Sequence, residues 1–163
     1  MRRATLYSAS LLMVCSMAAL SLAEETLLEK ARQAIEDGKY LEAKSLLKDQ
    51  GKNQDAAYLL GLTYLFLSEE PLAQEVFRKI SDDPLKVAQL EDLAYFEAGS
   101  RWIKTPGKRH IGMHYLNRSV QRNANRKESA SRLLYENGEK AIPENRWLAH
   151  QILGRALEFN ASL

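Results

Sequence analysis

The chain has 163 residues, of which 45% are hydrophobic and 27% are charged, and its formal net charge at pH 7 is +2. This length is enough for one ordinary domain with a single hydrophobic core. Cys15 is the only cysteine, so a disulfide bond within the chain is excluded.

The N-terminus is typical of a secretory signal peptide. Arg2 and Arg3 form a short positive region, an uncharged and mostly apolar run follows, and Ser21 and Ala23 supply the small residues that signal peptidase recognises. We predict that residues 1–23 are removed on export, which leaves 140 of the 163 residues. The mature chain then has no cysteine nucleophile and no thiolate ligand for a metal. An exported protein without cysteine suits a bacterial periplasm.

Two alternatives to removal remain open. The uncharged run over residues 6–22 is about long enough to span a bilayer as a retained anchor. Cys15 could instead carry a lipid, although Val14 stands where lipoprotein cleavage sites have a small residue. If the signal peptide is cleaved, residues 24–163 form one exported domain with no stable membrane span.

Charge is divided unevenly along the mature chain. Residues 24–97 contain 16 acidic and 9 basic side chains, a net charge of −7, whereas residues 98–163 contain 5 acidic and 12 basic ones, a net charge of +7. Such asymmetry bears on partners more than on fold. For an exported protein it disfavours nucleic acid as a partner and favours an acidic protein, anionic lipid headgroups or a cell-wall polymer.

Apolar residues recur at steps of three and four along the mature chain, and the alternation typical of strands is nearly absent. Glycine and proline interrupt this pattern at short intervals. The sequence therefore predicts an all-α protein of about eight helices, in which neighbours run antiparallel and pairs stack on pairs. The predicted helices are 25–37, 39–50, 54–67, 70–80, 85–104, 107–125, 127–139 and 144–160, and the interrupting residues are Gly38, Gly51, Pro71, Pro84, Pro106, Gly107, Gly138 and Pro143.

Two of the predicted helices carry an ordered set of small and large residues. Gly61 and Ala73 are small, so the two helices can approach closely, while Tyr64 and Phe77 fill the space between this pair and its neighbours. A proline then prevents the second helix from continuing. The complete set is Leu60, Gly61, Tyr64, Ala73, Phe77 and Pro84.

This spacing resembles the tetratricopeptide repeat (TPR), with two departures. Ala57 stands where that family usually has Trp, and Pro84 comes one residue early. A weaker copy precedes it, with Ala43 exactly 30 residues before Ala73, where the family has 34. In this copy Gly38 and Tyr40 mark the turn, Leu47 matches Phe77, and Ala31 and Ala34 replace the glycine and the aromatic residue.

The resemblance covers residues 24–84 and implies a right-handed solenoid of stacked helix pairs. In that family the first helices of the pairs line a concave groove, which takes an extended or helical peptide of another protein. Beyond Pro84 the pattern fails when Leu93-Ala94 is tried as the next Leu-Gly, so we expect two degenerate pairs. We expect the last helix to cover the end of the core with its apolar residues, which are Trp147, Leu148, Ile152, Leu153 and Leu157.

Motifs for catalysis or for a metal are hard to find. The chain has no Gly-rich phosphate loop, no Gly-x-Ser-x-Gly and no Cys–His pair. The acidic pairs that precede Pro71 and Pro84 are best read as charges at helix starts. His110 and His114 are four residues apart, but two histidines supply at most half of a zinc site. We predict no enzyme, no metal and no cofactor.

Basic side chains recur at every fourth residue from one of these histidines. We call His110, His114, Arg118, Arg122 and Arg126 the cationic stripe. On a helix they share one face, and apolar residues lie opposite, so we expect the stripe to point outwards. Like charges four residues apart destabilise a helix by roughly 0.2–0.5 kcal/mol per pair, and few acidic residues are near in sequence. We interpret the stripe as a surface for an acidic partner, with an ordinary solvated face as the alternative.

Together these features predict an exported interaction module, a scaffold or assembly factor for an envelope complex in the periplasm. Its partner would be a protein whose peptide or helix enters the concave groove. One alternative is a protein that binds anionic lipid or a cell-wall polymer through its basic second half. A less favoured one is a small cell-wall enzyme with a single catalytic glutamate, which would need a deep cleft around a carboxyl group of raised pKa.

Overall fold

A computed structural model of the protein describes residues 26–50 and 53–161, so the predicted signal peptide lies outside the described residues. Within them the chain forms helices and no strand, which confirms the all-α prediction. None of these helices has the length and apolar character to cross a membrane. The helices are α1 (26–36), α2 (Tyr40–Leu47), α3 (Gln54–Phe66), α4 (Glu70–Ile80), α5 (Pro84–Trp102), α6 (Arg109–Arg122), α7 (Lys127–Ala141) and α8 (Arg146–Asn160), and one turn of 3-10 helix, Ala124–Arg126, precedes α7.

Short polar side chains fix where several helices begin. Asn53, Asp83 and Asn145 each accept a hydrogen bond from a backbone N–H in the first turn of α3, α5 and α8. These caps explain why the helices begin within two residues of the predicted positions. Gly138 is different, because it was predicted to end a helix and instead lies buried inside α7. Its place in the packing, described below, is what requires glycine.

The first two helix pairs repeat with a period of 30 residues, as the sequence predicted. Gly38 and Ser68 occupy the equivalent turn position with φ of +77° and +62°. In both turns the next residue's N–H donates to a carbonyl five residues back, Lys39 to Ala34 and Glu69 to Tyr64, at 2.8 Å. The predicted packing residues lie in these pairs: Ala43, Ala73 and Phe77 are fully buried, Leu60 and Gly61 are buried, Tyr64 and Tyr40 are half-buried, and Pro84 is the exposed first residue of α5.

The same packing continues in the two later pairs, α5–α6 and α7–α8. A Cβ atom placed on Gly61, Gly99 or Gly138 of a first helix would lie within 3 Å of one large side chain on the second helix of that pair. The large side chains that face these glycines are Phe77, Leu116 and Leu153. Each lies four residues after a small residue of the same helix, and these small residues are Ala73, Gly112 and Ala149. The repeat pattern fails at Leu93-Ala94 because α5 is 19 residues long and its close approach falls at Gly99.

The core has two clusters that meet at α5 and α6. One joins α1 to α5 and includes Trp102 and Tyr115, while the other joins α6 to α8 and includes Ile103 and Leu116. Neighbouring residues of the same two segments thus belong to different clusters, which ties the clusters together. The grouping of residues 24–163 into a single domain stays a prediction.

The last helix covers the core only in part. Ile152 is fully buried and Leu148 and Leu153 are half-buried, but Trp147 is 72% exposed and Leu157 is 62% exposed. The expectation that all five apolar residues cover the end of the core is wrong for these two. Within the described residues α8 packs mainly against α7, where Gly138 faces Leu153, and this contact leaves Trp147 and Leu157 uncovered.

Glycine substitutions test the close approach of the helices. Gly112→Ala should lower the free energy of unfolding by roughly 1–3 kcal/mol, because the added Cβ would meet the backbone of Ile103, which cannot move aside. Gly154→Ala, also within a helix, meets no atom within 4 Å and should raise it by up to about 1 kcal/mol. Urea denaturation measures both. Equal effects of the two substitutions would contradict the packing described here.

Candidate interaction surfaces

The cationic stripe does not point away from the protein. His110 is exposed, and His114 is about half-exposed, but the three arginines are partly buried and turn towards α4 and α5. The expectation that the stripe points outwards is wrong for Arg118, Arg122 and Arg126, which have carboxylate partners on α4 and α5. Whether any of its residues binds a partner stays a prediction, and its main motivation, the unpaired positive charge, is removed.

Glu70, at the start of α4, is the centre of one set of contacts with the stripe. Its Oε1 atom accepts hydrogen bonds from the Tyr95 hydroxyl at 2.7 Å and from Arg118 Nε at 3.1 Å. Its Oε2 atom lies 3.0 Å from His114 Nε2. Glu70 was expected to act mainly as a charge at a helix start, but it links α4 to both α5 and α6.

Two further carboxylates lie deeper, on α5. Glu91 and Asp92 are only 7% and 5% exposed. Glu91 accepts from Arg122, and Asp92 accepts from Arg126 Nε at 3.3 Å and from the side chains of Ser119 and Asn123. A buried carboxylate is costly unless it is paired and hydrogen-bonded. Both conditions are met for these two.

Aromatic rings complete the contact between the stripe and α5. The guanidinium groups of Arg118 and Arg122 lie 5.7 and 4.9 Å from the ring centre of Tyr95, and that of Arg126 lies 4.6 Å from the ring centre of Phe96. Cations over aromatic faces at these distances are attracted by the ring quadrupole. The stripe therefore has both ionic and aromatic partners inside the chain.

Ion pairs occur at every junction between successive helix pairs. Lys44 of α2 pairs with Glu69, which precedes α4, at 2.8 Å, and Arg118 of α6 pairs with Glu70 of α4. At the third junction the buried Arg109 of α6 pairs with Glu144, which precedes α8. Only the second junction joins the acidic half of the sequence to the basic half, because Lys44 and Glu69 both lie in the first and Arg109 and Glu144 both lie in the second.

The surroundings of Glu70 change the pKa values of several groups. Burial alone would raise the pKa of Glu70. The pKa is nevertheless lowered, because hydrogen bonds from Tyr95 and His114 and the charges of His114 and Arg118 outweigh the effect of burial. Burial, with the charge of Glu70, raises the pKa of Tyr115 to about 12. Tyr115 therefore keeps its proton at neutral pH and donates to the carbonyl oxygen of Leu65 at 3.0 Å.

A separate cleft of about 240 Å³ lies on the first helices of three successive pairs. Ile35, Leu59 and Leu62 are buried and form an apolar floor. On one side the Tyr58 hydroxyl donates to a Glu97 carboxylate oxygen at 3.1 Å. The lining residues are Arg32, Ile35 and Glu36 of α1, Tyr58, Leu59 and Leu62 of α3, and Glu97 of α5.

Arg101 of α5 holds one wall of this first-helix cleft in place. It donates to the carbonyl oxygens of Ile35 and Glu36 at 2.8 and 2.6 Å, where α1 ends. A cation is favoured there because the C-terminal carbonyls of a helix carry negative partial charge. Because Arg101 and Ile35 are 66 residues apart, no local pattern in the sequence indicated this contact.

The histidines do not come together with other ligands. His110 and His150 are both exposed, on α6 and α8. In the part of the chain that the structure describes, no group of three or more His, Cys, Asp or Glu residues could hold a metal ion.

The chain was compared with known proteins in three ways. It matches no model of a protein family, no curated protein and no solved structure.

Removal of the three arginines tests whether the stripe is structural. We expect the Arg118→Gln, Arg122→Gln, Arg126→Gln triple variant to lose roughly 3 kcal/mol or more of its free energy of unfolding, because Glu91 and Asp92 stay buried without a cation. Arg132→Gln, which breaks an exposed pair with Glu128 on α7, is the control and should change stability by less than about 0.5 kcal/mol. Urea denaturation at neutral pH measures both. An unchanged triple variant would return the stripe to the status of a free surface.

Glu70→Gln should destabilise the fold at neutral pH and have no such effect in acid. The ionised carboxylate stabilises the folded state above the ordinary glutamate pKa of 4.5, and this stabilisation is lost as the pH falls through the lowered pKa of the folded state. The free energies of unfolding of wild type and variant should therefore differ at neutral pH. The difference should shrink as the pH falls below the ordinary pKa of 4.5 and disappear below the lowered pKa of the folded state. Glu128→Gln, at an exposed carboxylate, should show no such convergence because the initial difference is small.

Proposed function

We propose that the protein is an exported, TPR-like interaction module of a bacterial periplasm, which holds a segment of another protein as a scaffold or assembly factor for an envelope complex. The observation that carries this proposal is the first-helix cleft. Its floor is apolar, its sides offer hydrogen-bonding groups, and it runs across three helix pairs. Sites for a peptide segment combine these features, because apolar contacts supply affinity and a few polar groups fix orientation.

The chemistry of the cleft favours binding over catalysis. Glu97 already accepts the Tyr58 hydroxyl, and Arg32 and Glu36 are exposed at the opposite side. Charged groups at the sides of an apolar floor are the arrangement found at protein interfaces, where an apolar core is surrounded by a polar rim. Export is supported by the sequence of residues 1–23 alone.

Site-specific cross-linking in the native host tests the proposal. A photoreactive amino acid is placed at Arg32 or at Glu97, which are exposed beside the cleft, and at Glu75 of α4, an exposed control on a second helix. We expect the first two positions to become linked to the same protein and the control position to remain unlinked.

The alternative of a lipid or polymer surface gives a different result. The protein would then sediment with anionic vesicles or with peptidoglycan, and no position beside the cleft would yield a protein adduct. That outcome would overturn the interaction module and would favour the basic second half as the binding surface.

A further inference from the structure

Some positions of the helix pair are covered by the next pair along the chain. One such position lies three residues before the glycine at which the two helices of a pair approach closely, which is Gly61, Gly99 or Gly138. It is occupied by Tyr58, Phe96 and Tyr135 in pairs two to four. The hydroxyl of Tyr58 donates to Glu97 of the following pair, and Phe96 lies under Arg126, which leads into α7. The segment that follows each pair thus supplies a partner for the aromatic ring of Tyr58 and for that of Phe96.

Two other positions show the same coverage. Leu65 and Ile103, each four residues after the glycine, are fully buried. Val120 of α6 is 8% exposed and packs in the cluster that includes Ala130 and Leu134 of α7. It lies eight residues after Gly112, the small residue of that helix.

In the last pair the equivalent residues are uncovered. Tyr135, Ile142 and Leu157 are 51%, 45% and 62% exposed. Tyr135 and Leu157 line a cleft of about 320 Å³ between α7 and α8. We call these three residues the trailing end. Trp147 is not part of it, because the equivalent residues Leu41, Pro71 and His110 are exposed in every pair.

The opposite end of the described stack carries the matching positions. Leu27 of α1 is equivalent to Tyr95 and Leu134, which are fully buried, yet Leu27 is only half-buried. Glu29 is equivalent to Glu97, the acceptor of the Tyr58 hydroxyl, and it is exposed. We call Leu27 and Glu29 the leading end.

We propose that a second copy of this chain covers the trailing end, with its leading end packed there as successive pairs pack inside one chain. Leu27 of the second copy would lie against Tyr135, Ile142 and Leu157, and Glu29 of the second copy would approach the Tyr135 hydroxyl. Residues 26–50 and residues 127–160 each contain five acidic and five basic side chains, so neither end repels the other by net charge.

This association has a directional consequence. The two ends differ, so the interface is heterologous, and a stack of any length still offers one free leading end and one free trailing end. It is distinct from the first-helix cleft and goes beyond the function proposed for that cleft.

Analytical ultracentrifugation of the chain from Glu24 onwards tests the proposal. The mass should rise above that of the monomer as the concentration increases from micromolar to millimolar. A trailing-end variant, Tyr135→Arg with Leu157→Glu, and a leading-end variant, Leu27→Lys with Glu29→Arg, should each remain monomeric. An equimolar mixture of the two variants should form a complex of twice the monomer mass and nothing larger, because one intact end of each kind remains. Formation of that complex also shows that both variants are folded.

Trp147→Glu is the matched control, since it alters an equally exposed apolar residue outside the trailing end, and it should associate as the wild type does. A wild-type chain that is monomeric at every concentration would overturn the proposal. So would a leading-end variant that still dimerises while the trailing-end variant does not, because that result indicates a symmetric pairing of trailing ends.

Discussion

The contact on which the second half of the molecule depends is the one between the carboxylates of α5 and two arginines, one at the end of α6 and one in the 3-10 turn that follows it. Glu91 and Asp92 are nearly inaccessible to water, and the folded state tolerates them because Arg122 and Arg126 face them. This requirement fixes the rotation of α6 about its axis. With the arginines held against α5, the opposite side of α6 is free to pack on α7 and α8.

The hydrophobic packing alone would leave that rotation less well determined. Leu116 and Val120 belong to the second cluster, whereas Tyr115 belongs to the first, so α6 offers apolar contacts on more than one side. Buried ionic contacts discriminate between such arrangements, because a rotated helix would leave charged groups without partners. We infer that the polar contacts specify the orientation of the second half while apolar burial supplies most of its stability.

Much of the helical framework could be predicted from the sequence, because helix periodicity and caps are local. The arginine partners could not, since Arg118 and Glu70 are 48 residues apart and the acidic residues of α4 and α5 have the spacing of ordinary solvated faces. Gly138 was misread for a related reason. A glycine that ends a helix and a glycine that admits a neighbouring helix look alike until the facing residue, Leu153, is known. The first-helix cleft was expected only as a general feature, because its residues come together through the approach of α5 to α1.

The cleft and the ionic contacts lie on different helices, yet they are mechanically related. The cleft is assembled from α1, α3 and α5, one helix from each of three pairs, so its width depends on how the pairs are inclined to one another. That inclination is set partly by the ion pairs between second helices, Lys44 with Glu69 and Arg118 with Glu70, and partly by Arg101, which joins α5 to the end of α1. A change of charge at Glu70 would therefore alter the width of the cleft, although Glu70 does not line it. The polarised charge of the sequence, which first suggested an external partner, is explained within the chain, where carboxylates of the acidic half meet Arg118, Arg122 and Arg126 of the basic half.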